Sequence, residues 1–171
     1  LMVEGSSFMG LGGPNLVKGA TGQSVGSEEL GGGRVHTEMS GVAHYLMPDD
    51  AACLARLRQL VGELPREHHL EERAPTQPSR TAWDLYDILP DDHRQPYDAH
   101  AMLECILDGE GLDEFQSGHA REMICGTGFV DGIPVGVIAN ARGLIKDPKG
   151  GAPRFGGIVY TESSRKVAYF I

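Results

Sequence analysis

GSSFMGLGGPNLVKGATG, residues 5–22, sets six glycines and a proline around one short apolar run that carries a lysine. A stretch of that kind turns the chain sharply and brings main-chain amides close to a neighbour. Gly12 and Gly13, like Gly10 before them, have no Cβ, so the backbone can approach a ligand or a second chain segment. Pro14 suits the first helical turn, where its missing N–H costs nothing. The spacing therefore predicts a strand near 1–9, a glycine corner, and a helix over about 14–20 that includes Lys18. The positive end of that helix faces whatever the glycine loop faces, a place that suits an oxyanion, a phosphate or a thioester carbonyl. A tight strand-to-helix corner accounts for the same glycines with no ligand. The nucleotide fingerprints are absent: the third glycine position of GxGxxG is Asn15, and no GxxxxGK[ST] occurs.

Outward from this corner, Ser27 and Gly31 bracket a short helical turn, and 34–46 is expected as extended or irregular chain around Gly41. Asp49 or Asp50 caps a helix over 51–64, with Leu54, Leu57, Leu60, Val61 and Leu64 on one face and Pro65 as its stop. Residues 66–96 are charged and broken by Pro75, Pro78, Pro90 and Pro96, the composition of an interdomain connection. Asp98 then caps a helix whose expected buried side is Met102, Leu103, Ile106 and Leu107, and Asp108 and Gly109 stop it. Asp131 and Gly132 between two apolar runs over 124–140 signal a hairpin, with Asn140 at its end. A proline–glycine loop with Arg142, Lys146, Lys149 and Arg154 follows, and Thr161 or Ser163 starts a last, amphipathic helix. The recurrence of strand, glycine loop and helix is expected to reflect two related α/β halves.

With 171 residues, 40% hydrophobic and 23% charged, the chain can build a real core. Its net charge of −9 argues against nucleic-acid or membrane-surface binding, which needs a basic face. Cys53, Cys105 and Cys125 are odd in number and far apart, the usage of reduced thiols in an intracellular compartment. No CxxC occurs, and the adjacent His68 and His69 cannot face one ion from a regular element, so no metal site is expected. No apolar run reaches the length of a membrane span, and no signal peptide opens the chain. The opening Leu-Met-Val reads as the inside of a strand and the closing Tyr-Phe-Ile as the inside of a helix. An internal piece of a longer protein is therefore expected.

Five blocks fall in one order: GLGGPNLVKGATGQ, ELGGGRVHTEMSGVAHYLMPDD, YDAHAMLECILDGEGLDEF, GTGFVDGIPVGVIAN and ESSRKVAYFI. Together they resemble the carboxyltransferase (β) subunit of biotin-dependent acyl-CoA carboxylases of the propionyl-, methylcrotonyl- and geranyl-CoA type. The resemblance covers nearly the whole chain and extends to the related decarboxylase α subunits. It implies an α/β, crotonase-like fold, with 1–66 ending an N-terminal domain, 67–96 a linker and 97–171 starting a C-terminal domain. It also implies active sites between subunits of a dimer-based oligomer, as large as a hexamer, served by a biotin carboxylase and a biotin carboxyl carrier subunit.

The implied reaction moves CO2 from carboxybiotin to the α-carbon of an acyl-CoA, through an enolate whose oxygen is met by main-chain amides. No side-chain catalytic residue is expected, because biotin's own nitrogen acts as the base. The resemblance places acyl-CoA contacts at Tyr97, Asp108, Gly109, Phe115, Gly128 and Phe129, leaves Gly12 and Gly13 as candidate pocket backbone, and offers Lys146, Lys149 and Arg154 to the CoA phosphates. His36 and His44 are expected to pack or hydrogen-bond at a domain interface. The glycine-rich oxyanion segments lie beyond both ends of the chain, so this piece alone is expected to be inactive. The competing readings are a catalytically silent crotonase-type scaffold or assembly subunit and a biotin-dependent acyl-CoA decarboxylase α subunit, and the compartment is a bacterial cytoplasm or a mitochondrial matrix.

Overall fold

The structure, a computed structural model, describes residues 1–64, 73–109, 111–147 and 150–171. The chain divides into two compact units, Leu1–Leu64 and Pro65–Ile171.

In the first unit, β1 (Met2–Val3) runs parallel to β2 (Leu46–Met47), with Met2 opposite Leu46. The strand expected over 1–9 is thus only two residues long, because Gly5 turns the chain at φ +69°. Helix α1 (Pro14–Thr21) begins where Pro14 predicts and ends at Gly22, whose φ of +74° closes the last turn. It buries no residue. Helix α2 (Ser27–Gly31) follows, with Gly26 rather than Ser27 at its cap position. Residues 35–39 are not extended: Val35–Met39 form a π-helical turn in which Ser40 N–H reaches Val35 O at 2.9 Å. Buried Thr37 supports it by donating its hydroxyl to Gly33 O at 2.8 Å.

Helix α3 (Asp50–Gly62) is capped by Asp49, whose carboxylate accepts from Ala52 N–H at 2.8 Å. Its apolar stripe is a departure from expectation. Leu54, Leu57, Val61 and Leu64 are all about half exposed or more, and no residue of α3 is buried. The expected stop, Pro65, lies outside the described residues, as do His68 and His69.

The second unit is built on an antiparallel sheet in the order β3 (Asp113–Glu114), β4 (Met123–Val130), β5 (Ile133–Asn140). Asp131 and Gly132 join the long strands with φ of +52° and +77°, the pair of left-handed residues that a two-residue hairpin requires. Helix α5 (Ala99–Glu104) packs on the sheet. Its cap, Asp98, accepts from His100 and Ala101 N–H at 2.9 and 3.3 Å. The core joins Ala99, Leu103, Leu107 and Ile124, with Tyr97, Leu112, Val135 and Val137 against them. Ile106, expected on the buried side, is exposed instead, because α5 stops at Glu104 and the chain turns to bury Leu107.

Residues 73–96, the described part of the proline-broken stretch, hold a 3-10 turn (Ala82–Asp84) and helix α4 (Leu85–Ile88). They bond to this second unit: Arg73 N–H donates to Gly132 O at 2.9 Å, and Arg80 meets Glu104 at 2.6 Å. The loop after β5 pairs β6 (Leu144–Ile145) with β7 (Arg154–Phe155) and leads into α6 (Thr161–Phe170), which lies against β4. Among the described residues no helix is long and apolar enough to cross a membrane, and no group of His, Cys, Asp and Glu is arranged to hold a metal ion.

Candidate functional site

A cleft of about 410 Å³ opens in the second unit between the start of α5, the β3–β4 connection and the loop after β5. Tyr97, His100, Glu114, Ser117, Arg121 and Arg142 are among the residues that line it. Arg142 lies 5.7 Å above the centre of the Tyr97 ring and donates to His93 O at 3.0 Å. His100 Nε2 is 2.9 Å from Glu114 Oε2. Arg121 is exposed and makes no hydrogen bond or ion pair among the described residues. Two guanidinium groups at one mouth are donors for phosphate or carboxylate oxygens, set beside the Asp98 and Glu114 carboxylates that also line it, with His100 taken up by Glu114.

The wall carrying Ser117 and Arg121 is an arch, residues 115–122, held from behind. Gln116 and Ala120 sit at φ +50° and +46°, left-handed positions that cost a side-chain-bearing residue on the order of 1 kcal/mol each. Lys166 of α6, 1% exposed, donates from Nζ to His119 O at 3.1 Å and to Met123 O at 2.8 Å, and stands 3.8 Å from Glu114 Oε1. Burial pushes the Lys166 ammonium below the ordinary lysine range, and the charge of Glu114 opposes that shift. Glu122, also 1% exposed, accepts from Ser163 Oγ at 2.6 Å and from Arg154 at 2.9 Å. Burial works against the Arg154 cation, but bonds to Glu122 and Glu162 leave it above its ordinary value.

The structure separates the residues expected to meet acyl-CoA. Tyr97 lines the cleft. Asp108, Gly109, Gly128 and Phe129 gather instead around the hairpin turn. Buried Asp108 accepts from Asp131 and Gly132 N–H, and its own N–H donates to Phe129 O at 2.8 Å. Gly109 N–H donates to Thr76 Oγ1 at 3.1 Å, Gly128 packs on Leu107, and the Arg73 guanidinium covers the Phe129 ring at 4.2 Å. Phe115 packs against Phe170, with ring centres 5.9 Å apart.

Of the basic loop, Lys146 is exposed, Arg154 is bound to two carboxylates, and Lys149 lies outside the described residues. In the first unit the tight main-chain approach is made at Gly31, where a Cβ would strike Met9 O. Gly13 has open space, and Gly12 faces only the flexible Leu16. His36 bonds to Met9 O at 2.8 Å and lies 3.1 Å from Ser40 Oγ within the first unit, while burial pushes the His44 imidazole below its ordinary value. Sequence reasoning passed over His100, Glu114, Arg121 and Lys166. Ser163 and Lys166, three apart on one face of an amphipathic helix, were the available signal for a polar buried contact.

Residues 1–171 match the carboxyl transferase domain family. The mitochondrial methylcrotonoyl-CoA carboxylase beta chain of Dictyostelium discoideum is 36% identical, over all of this chain and 27% of its own length. A propionyl-CoA carboxylase carboxyltransferase subunit of Haloferax mediterranei is 35% identical, over 99% of this chain and 32% of its own. The chain thus spans about a third or less of these relatives. A crystal structure of transcarboxylase 12S, described as a hexamer assembly with hydrolysed methylmalonyl-coenzyme A bound, superposes with a TM-score of 0.78 and 28% identity. That match covers 99% of this chain and 32% of the transcarboxylase chain.

Proposed function

Because the chain belongs to the carboxyl transferase domain family, whose α/β, crotonase-like fold it shares, we propose that the complete protein carboxylates an acyl-CoA. The observation that carries this reading is the match of the family pattern along every residue from 1 to 171. In the reaction the α-proton would pass to the biotin nitrogen acting as base, the C–H pair would form the enolate C=C while the carbonyl π pair moves onto the thioester oxygen, and the enolate carbon would then attack CO2. Preorganised main-chain donors at that oxygen supply the largest stabilisation. Carboxybiotin, when bound, supplies the CO2.

The cleft takes the anionic part of the coenzyme A ester. Arg121 and Arg142 meet its oxygens, Tyr97 gives a flat apolar wall beneath Arg142, and Lys146 adds charge from the neighbouring loop. That donor set fits a phosphate or carboxylate. The family resemblance implies paired main-chain donors for a ureido oxygen, and the adjacent amides of Asp131 and Gly132 are already spent on Asp108. No step through biotin is therefore assigned to these residues.

In the complete subunit, 1–66 ends one lobe, 67–96 joins and 97–171 begins the second. A biotin carboxylase and a biotin carrier subunit deliver the carboxyl group to a dimer-based, hexameric assembly. The likeness to the transcarboxylase 12S hexamer supports the assembly, and relatives of mitochondrial and bacterial origin support a mitochondrial-matrix or bacterial-cytoplasmic setting.

The test is carboxybiotin-dependent transfer by the complete protein to acetyl-, propionyl- and methylcrotonyl-CoA. At least one is carboxylated, and Arg142→Ala raises KM by about tenfold with little change in kcat. A protein that binds and carboxylates none of them overturns the reading and leaves the silent scaffold.

A further inference from the structure

We propose that Lys166 is a positioning residue: it fixes the arch 115–122 as one wall of the cleft and acts on ligand through Arg121, Ser117 and Glu114 without touching it.

The two carbonyls that Lys166 binds, His119 O and Met123 O, lie on either side of Ala120, one of the arch's two left-handed residues. A backbone held in that region without glycine persists only where its surroundings over-determine it. Here the surroundings are one face of α6. Lys166 takes the two carbonyls, Ser163 takes Glu122 Oε1, and Arg154, just ahead of the helix, takes the same oxygen. Lys166 also stands behind Glu114, whose other oxygen faces His100 across the cleft.

The arch is therefore pinned on its inner side while Ser117 and Arg121 stay exposed on its outer side. Three donors on an ammonium can bind two carbonyls and a carboxylate together, which no apolar or singly donating side chain can do. A fully buried lysine is rare, and here two carbonyls and the Glu114 carboxylate, 3.8 Å away, face its ammonium.

Amide hydrogen exchange on the complete protein tests the assignment. Lys166→Met makes peptides covering 115–122 exchange about tenfold faster or more, while peptides covering 126–140 stay within about threefold of wild type. Lys166→Gln keeps an NH2 with two donors on a shorter side chain, loses the charge and the third donor, and falls between the two. Equal acceleration in arch and hairpin, no acceleration in the arch, or loss of the fold in both variants shows a general packing role and overturns the proposal.

A second readout rests on the acyl-CoA reading above. In the complete protein, Lys166→Gln raises KM for the acyl-CoA by about tenfold with kcat within about threefold, and an unchanged KM counts against the proposal. If the wild-type protein carboxylates nothing, that reading fails, and the exchange result alone still decides the role of Lys166.

Discussion

Asp108 and Gly132 stand twenty-four positions apart, yet Asp108 Oδ2 accepts the Gly132 N–H at 2.9 Å, and Oδ1 accepts the neighbouring Asp131 N–H at 3.0 Å. One carboxylate thus closes both donors of the hairpin turn from the end of another segment. Asp108→Ala leaves those donors without their acceptor, at a cost of about 3 kcal/mol, and Asp108→Asn, which keeps one acceptor, costs about half as much. Chemical denaturation midpoints of the two variants check the order and the size.

Leu107→Ala and Leu57→Gln separate a true core position from an apparent one. Leu107, 1% exposed at the centre of the core cluster, is expected to cost about 2–5 kcal/mol on truncation. Leu57, 47% exposed on α3, is expected to change stability by about 0.5 kcal/mol or less. Thermal and denaturant unfolding of both variants measures the contrast.

Lys166 gives the fold a pH dependence of known sign. Its folded-state value is lowered from the ordinary 10.5, so between the two values the unfolded chain binds the extra proton and stability rises with pH. Below the lowered value both states carry the charge and the whole burial penalty is present. The stability difference between wild type and Lys166→Met therefore shifts in favour of wild type as pH climbs towards 10.5. A flat difference across that window contradicts the assignment.

Thiol chemistry follows burial. Cys105 and Cys125 are buried and Cys53 is only partly so, and burial raises the Cys125 thiol above its ordinary value, leaving little thiolate. Cys53 is expected to react first with an alkylating reagent, and the other two only when the second unit opens. Mass spectrometry of partly labelled protein shows the order.

Local rules carried a good part of this fold. Pro14, Asp49 and Asp98 start the helices they are expected to start, and Asp131-Gly132 makes the expected turn, because each effect is settled within three or four residues. The exposure of Leu54 and Leu57 was illegible, since a helical stripe says which residues could be buried and not whether anything covers them. The π-helical turn at 35–39 has no spacing signal of its own, and the close approach at Gly31 depends on where Met9 comes to lie. Of the cleft residues the sequence marks Tyr97 alone as a ligand contact, and it offers Asp98 only as a helix cap and Arg142 only as part of a basic loop. Glu114, Arg121 and Arg142 meet through a sheet register and a loop return that no spacing encodes, and Lys166 looks in sequence like any surface lysine of an amphipathic helix.

The pins on the arch reach far along the chain: Lys166 lies 47 positions beyond His119 and 43 beyond Met123. Synthesis proceeds from the N-terminal side, so the ribosome releases strand and turn well before it releases the ammonium that gives them their final shape. Until α6 emerges and docks, the hairpin can pair by local contacts while the binding wall stays unset. Setting of the arch is thus deferred until α6 has been made, and a nascent chain stopped short of it carries the hairpin without the bonds that pin residues 115–122.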